Sequence, residues 1–394
     1  MRKIGRFIVD NHCHITTLYQ TESGEEPGPG EVIPYDNSAF TLHDMETYGV
    51  DMAVLLPSFL NTTNESQAKL VKKFPNKFRA CCSDQTTRLN AFRGIKPWTF
   101  DAGIKEVEDA LATGNFVGIG EFVPGLNARK ESRLPVPSLN ERAEEFKQIC
   151  DLAIQYDVPV HFHEHITFLP MPESEWPWHW FDLFQKVAAD NPKANIILNH
   201  GYSGEEEHAG IEGMKKVYPI VASFKNVFME TGGWCEKNFE VAFASGVSAA
   251  NLMWGHDYGN VPQYIVRQNI ENFNPTPDMV RPWDYRKTVS FFMRCNNTFP
   301  VVPTYQPDFY GWGLRTIDRI GDWLTQDEIN LILGGTAAKL YKLPVPFPRM
   351  FPEGREDIFG DRWEESIPYL PDDQIQHPED VVMSKTPWKP IPKP

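Results

Sequence analysis

The chain has 394 residues, with 53 acidic against 38 basic side chains, a net charge of -15 and 41% hydrophobic residues. That length supplies one large core or two modest ones, and the acidic balance without basic patches argues against nucleic acid or an anionic membrane as partner. No secretory pattern opens the chain, no apolar run reaches about 18 residues, and Cys13, Cys81, Cys82, Cys150, Cys235 and Cys295 form no CxxC pair, so a soluble cytoplasmic protein with reduced thiols is expected.

The first predicted element is FIVDNHCH at 7–14, an apolar run that ends in Asp-x-His-x-His. Side chains alternate along a strand, so Asp10, His12 and His14 are expected on one face and Asn11 and Cys13 on the other. Such a face suits a metal ion. The plain alternative is a solvated strand end whose imidazoles cap loop carbonyls.

Further strand-length apolar runs follow: MAVLLPS (52–58), KFRACCS (77–83), FVGIGEFV (116–123), VPVHFHEH (158–165), NIILNH (195–200), VFMETGG (227–233) and NLMWGHD (251–257). Amphipathic stretches lie between them. In Leu139–Tyr156 the residues Ala143, Phe146, Ile149, Cys150 and Ala153 form one apolar stripe, and Asn140 is the expected N-cap. Eight short strands alternating with helices predict an α/β fold, a closed (β/α)8 barrel of the TIM type. The open doubly wound sheet is disfavoured because no Gly-rich phosphate loop follows the first strand.

The barrel domain is expected over 1–345. It includes a post-barrel insertion at 259–324, rich in Pro, Asn and aromatics, with helical pieces such as Tyr285–Cys295. Leu324–Leu343 reads as a helix, a Gly-Gly break and a second helix. Residues 346–394 read as an extended, Pro-rich C-terminal arm that lies on another surface, such as a neighbouring subunit of a homo- or hetero-oligomer.

Chemistry in such a barrel gathers at the C-terminal ends of the strands. Those ends carry His12 and His14, Glu121, His163, His200 and Asp257. Three of them have a plain alternative of their own: Glu121 as an exposed strand-end charge, His200 as a satisfied core histidine, Asp257 as a turn cap. VHFHEH places His161, His163 and His165 on one face, with His163 the chosen ligand, His161 deeper and His165 towards substrate. Glu230 is a candidate for orienting a ligand or touching substrate. Arg133, or Arg129 beside it, could meet a substrate carboxylate, against the default of surface charge. The aromatics of Trp176-Pro-Trp-His-Trp180 line a pocket lid or fill the core beneath a helix.

Imidazole and carboxylate ligands without thiolate point to Zn, Mn or Fe. Four histidines and two carboxylates exceed what one tetrahedral catalytic ion needs, so two divalent metal ions with Glu121 as bridge are expected.

DNHCH, METYGVDMAVLLPS (45–58), YDVPVHFH (156–163), ILNHG (197–201), WGHDYG (254–259) and ILGGTAAKLYKL (332–343) together resemble the amidohydrolase superfamily. The likeness is to the amidohydrolase-related group that includes metal-dependent decarboxylases of aromatic and unsaturated acids. It implies that His12 and His14 hold one metal, that Asp257 ligates it and moves protons, and that His163 and His200 end strands five and six. In single-metal members the position of His200 acts as acid or base, so His200 and Asp257 are the expected catalytic residues. GIGEF departs from the decarboxylase group and is similar to the glutamate element of TatD-like deoxyribonucleases, where that glutamate binds metal. The resemblance thus implies a hydrolase or lyase acting on a small, carboxylate-bearing molecule. Two alternatives stay open: an iron-containing, oxygen-activating hydroxylase or monooxygenase on the same fold, and a metal-binding partner subunit of a hetero-oligomer.

Overall fold

The computed structural model describes residues 7–15, 38–57, 63–122, 124–125, 128–163, 177–201, 210–232, 234, 236–255 and 309–344. All eight expected strands form within the expected runs: β1 Val9–Cys13, β2 Met52–Leu55, β3 Phe78–Cys82, β4 Gly118–Phe122, β5 Val160–Phe162, β6 Ile196–Leu198, β7 Val227–Glu230 and β8 Leu252–Met253. They pair in parallel, in chain order. Between β1 and β8 the Asn11 backbone N–H and its Nδ2 both donate to the Trp254 carbonyl, at 3.1 and 3.0 Å, which nearly closes the barrel.

Helices alternate with the strands, as right-handed parallel crossovers require. The first six are α1 Ser38–Tyr48, α2 Asn64–Lys73, α3 Gln85–Phe92, α4 Phe100–Ala112, α5 Ala128–Glu131 and α6 Leu139–Tyr156. After them come α7 Trp180–Asp190, α8 Gly210–Ser223, α9 Glu236–Ala244, α10 Phe309–Ile320, α11 Gln326–Asn330 and α12 Thr336–Tyr341. Among the described residues no helix is long and apolar enough to cross a membrane. Cys13, Cys81, Cys82 and Cys150 are buried free thiols. The segment Tyr285–Cys295 and the arm at 346–394 lie outside the described residues.

α6 shows why local signals were readable. Its expected stripe of Ala143, Phe146, Ile149, Cys150 and Ala153 is buried, and Phe146 packs on Phe162 of β5 at 4.8 Å between ring centroids. The N-cap is Ser138 rather than Asn140: Ser138 and Glu141 form a reciprocal capping box, which satisfies two backbone donors where Asn140 would satisfy one. Trp178 and Trp180 belong to the core, Trp178 donating to the Pro137 carbonyl at 2.8 Å; Trp176 lies outside the described residues.

Two layers of apolar side chains divide the interior. One lies between strands and helices and includes Ile8, Cys13 and Ile15; the other fills the barrel with Phe7, Val9, Met52, Val54, Cys81, Ile197 and Met253. This parity corrects the expectation for β1. Phe7 and Val9 face in and Ile8 faces out, but the register shifts between Asp10 and Cys13, after which Cys13 and Ile15 face out. Asp10 therefore falls on the outer side, where its Oδ2 accepts from the Tyr310 hydroxyl of α10 at 3.0 Å, and only His12 and His14 turn inward. The shift is held by the His12 backbone N–H, which donates back to Asp10 Oδ1 at 3.1 Å. Burial raises the Asp10 carboxyl to about 7 against the hydrogen bonds from His12 and Tyr310.

The Gly-Gly pair is not a break. α11 runs through one wide turn at Leu331–Gly335 into α12, with Gly334 and Gly335 inside that turn. A Cβ on Gly334 would stand 2.1 Å from the Phe7 carbonyl oxygen, so glycine here permits the helix backbone to meet β1. Gly334→Ala is expected to destabilise the fold by about 1–3 kcal/mol, because backbone gives way less readily than a side-chain tip. A thermal melt unchanged from wild type would show that contact to be unimportant.

Candidate metal centre

Strand order brings the polar strand ends together. The Nε2 atoms of His12 and His14 are 3.0 Å apart, and those of His163 and His200 are 3.1 Å apart. Glu121 of β4 stands between the pairs. Its Oε1 is 3.4 Å from His12 Nε2, 2.9 Å from His163 Nε2 and 3.7 Å from His200 Nε2, while its Oε2 is 3.7 Å from His14 Nε2. Among the described residues, three groups of ligand-type atoms, the atoms of each within 4.8 Å of one another, could hold a metal ion: His12, His14 and Glu121; Glu121, His163 and His200; and His12, His200 and Glu230.

The third group reads differently from the other two. Glu230, the last residue of β7, is fully buried, and its Oε2 accepts from His12 Nδ1 at 3.1 Å and from the His200 backbone N–H at 2.9 Å. It thus meets the far side of the His12 ring and orients it. Burial works to raise the Glu230 pKa, but the hydrogen bond and charge of His12, with His200, leave it lowered. Gly232 and Gly255 make room for the carboxylate: a Cβ on either would stand 2.6 and 2.4 Å from Glu230 Oε1. Glu230→Gln keeps the shape and loses the charge. The expected outcome is metal affinity weaker by about tenfold, read by competition with a chelator.

The tautomers test whether this cluster fits a cation. His12 Nδ1 faces a carboxylate and His14 Nδ1 faces the Leu56 carbonyl at 2.9 Å, both acceptors only, so each Nδ1 carries the proton. Their Nε2 lone pairs then point at each other across 3.0 Å, beside the oxygens of Glu121. Such an arrangement of donors without an electrophile is repulsive, and a divalent cation resolves it. Burial works to raise the Glu121 pKa, yet His163 and His12 outweigh it and hold the carboxyl well below its usual range. An ionised carboxylate among imidazoles is a donor set for Zn, Mn or Fe.

Two backbone features pin His200. It has φ of 57°, the left-handed region that non-glycine residues rarely adopt. Its N–H is held by Glu230, and its carbonyl accepts from Trp234 Nε1 at 2.9 Å. A Cβ on Gly201 would meet the Trp234 ring at 2.5 Å, so the chain leaves the strand where only glycine fits.

The remaining sequence candidates separate. His161 of β5 lies deeper in the barrel, between Asn199 Oδ1 at 2.7 Å and the Tyr341 hydroxyl at 2.6 Å, and burial lowers it to about 4, so it is neutral. Asn199 Nδ2 in turn donates to Glu121 Oε1 at 3.1 Å. Arg133 is exposed in a turn after α5, with φ of 55°, and Arg129 is committed to Glu145 at 2.9 Å and to the Trp98 ring. Asp257 and His165 lie outside the described residues.

Sequence reasoning passed over Asn199, Tyr341 and the buried pair of Asp84, just before α3, and Arg88 within it, 3.0 Å apart. Asn199 had a usable signal, an amide beside His200 at a strand end. Tyr341 had none, lying 180 residues from its partner His161.

Solved structures to which this chain is similar include a probable 2-pyrone-4,6-dicarboxylic acid hydrolase from Acinetobacter baumannii, with citric acid bound. It is 13% identical, with a TM-score of 0.49 and coverage of 85% of this chain and 99% of that one. A 5-carboxyvanillate decarboxylase from Sphingomonas paucimobilis is 13% identical, with a TM-score of 0.49, over 86% and 100% of the two chains. A 2,6-dihydroxybenzoate decarboxylase from Rhizobium is 13% identical, with a TM-score of 0.45, over 86% and 99%. No curated protein matches the chain in sequence. The amidohydrolase family model matches residues 9–343, which takes in every described strand and the histidine and glutamate cluster. The chain belongs to the amidohydrolase family.

Proposed function

We propose that this protein is a metal-dependent enzyme that hydrolyses or decarboxylates a small, carboxylate-bearing molecule at a two-ion centre. His12 and His14 would hold one ion and His163 and His200 the other, with Glu121 shared between them. The observation that carries this reading is that Glu121 faces both histidine pairs, whose inner nitrogens are 3.0 and 3.1 Å apart. When bound, divalent ions at such a site supply Lewis acidity to a carboxylate or carbonyl oxygen and lower the pKa of water.

The chain's own residues do the rest. Glu230 holds the His12 ring, and with it the direction of the Nε2 lone pair, while the Leu56 carbonyl does the same for His14. The resemblance assigns proton movement to Asp257. In decarboxylation, the bond from the substrate to its carboxyl carbon breaks, carbon dioxide leaves, and Asp257 delivers a proton to the carbon left behind. In hydrolysis Asp257 takes a proton from water and returns it to the leaving group. His200 would act with Asp257 as acid or base if only one ion binds. The barrel would span 1–345, with the arm at 346–394 reaching a neighbouring subunit.

The test is an oxygen-electrode trace with metal-replete protein against a panel of small amino and carboxylic acids, paired with product analysis. Product formation without oxygen uptake is expected. Substrate-dependent oxygen uptake by iron-loaded protein would replace this reading with the hydroxylase.

A further inference from the structure

Glu121 has oxygens within 3.7 Å of the Nε2 atoms of both histidine pairs, so its rotation decides which oxygen each pair sees. A glutamate has a broad terminal torsion, and Asn199 adds a hydrogen bond to the contacts that the histidines make with it. Asn199 touches Glu121 Oε1 at 3.1 Å, on the side away from His14, which faces Oε2. From Asn199 a line of hydrogen bonds runs down the barrel axis to the final described helix: Asn199 to His161 at 2.7 Å, and His161 to Tyr341 at 2.6 Å. Tyr341 enters from the opposite end of the barrel, where its ring is 3.5 Å from the Cβ that Gly118, the first residue of β4, lacks.

The polarity of this line follows from its upper end. A carboxylate only accepts, so the Asn199 amide must turn its NH2 to Glu121 and its Oδ1 to His161. His161 then carries its proton on Nδ1 and accepts at Nε2, which requires the Tyr341 hydroxyl to donate. Each member has one orientation and no other. The other tautomer of His161 would set its bare Nδ1 against Asn199 Oδ1, and an amide flip of Asn199 would set its Oδ1 against Glu121 and its NH2 against the His161 N–H, in a site where all three side chains are at least nine-tenths buried.

We propose that Tyr341, His161 and Asn199 act as one positioning chain that sets the orientation of Glu121, so that the last helix of the barrel domain tunes the metal centre from its far end. This rests on the proposed metal centre and adds to it three residues that touch neither ion nor substrate. The chain transmits position: the Tyr341 hydroxyl anchors His161 at Nε2, His161 Nδ1 anchors the Asn199 amide oxygen, and the anchored Asn199 Nδ2 holds Glu121 Oε1, so loss of any member lets the next one shift.

The test is Mn2+ binding to metal-free, full-length protein, followed by the electron paramagnetic resonance signal of free Mn2+, in wild type, Tyr341→Phe, Asn199→Ala and the double variant. Tyr341→Phe removes one oxygen and keeps the ring, and thermal melts of all four proteins check that each folds. Asn199→Ala, at the residue that touches Glu121, is expected to weaken Mn2+ binding by about 10- to 100-fold, the range found for partners of a metal ligand, and Tyr341→Phe, two hydrogen bonds further away, by about 3- to 10-fold. The double variant is expected to bind no more weakly than Asn199→Ala alone, because a severed chain has nothing left to transmit. Additive losses, or single variants that bind as tightly as wild type, overturn the proposal. The wild-type protein judges the metal centre separately: one ion per chain sinks the two-ion reading while the same cycle on that ion still tests the positioning chain, and no ion at all sinks both.

Discussion

Replacing His12 and His14 together by alanine is expected to remove one metal ion from each chain and to lower activity about a thousandfold or more. The size follows from the several kcal/mol that a Lewis-acidic ion contributes to a transition state. The two rings supply two of the three ligand atoms in the group His12, His14 and Glu121. Folding should survive. The apolar layers that hold the barrel include neither ring, and Glu230 keeps its bond from the His200 backbone. Elemental analysis with a circular dichroism melt checks both halves, and a folded variant with unchanged metal content would remove the site from its proposed place.

Glu121→Gln carries the second large effect. The amide has nearly the shape of the carboxylate but loses its charge, and one of its two ends presents N–H groups where the carboxylate offers a lone pair to an ion. The expected result is a protein that keeps the ion at His12 and His14 and loses the one at His163 and His200, with activity down about a hundredfold to a thousandfold. Asn199 sharpens the effect, because its NH2 faces Oε1 and would meet a second NH2 if the new amide turned that way. A Gln variant with two ions and near wild-type activity would show that Glu121 is not shared between them.

The strands were legible in the sequence because parallel barrel strands, buried on both faces, read as short apolar runs with a polar residue at the exit. α6 was legible to both ends because its stripe and its polar face leave little choice of register. What failed was information held by neighbours. Alternation predicts one face for Asp10, His12 and His14, but the shift against β2 inverts the parity after Asp10, and only the packing of Tyr310 and the partner strand decides where a strand shifts. Gly334 reads as a helix breaker by propensity, and its real constraint is the Phe7 carbonyl more than three hundred positions away. Asn140 and Ser138 are both good caps, and the glutamate three residues after Ser138 was the sign that chooses between them. Within the candidate site, the histidines and Glu121 announced themselves as polar groups ending apolar runs. Asn199 and Tyr341 look like ordinary strand-end and helix residues until the fold brings them to His161.

The central claim is that Glu121 serves two ions at once, and the most direct measurement is a metal count on the full chain. Protein stripped with a chelator, dialysed to equilibrium against Zn2+ or Mn2+ and analysed for bound metal should hold two ions. Loss of the second ion in Glu121→Gln would then tie the count to the residue. A single ion per chain at saturating metal would contradict the account.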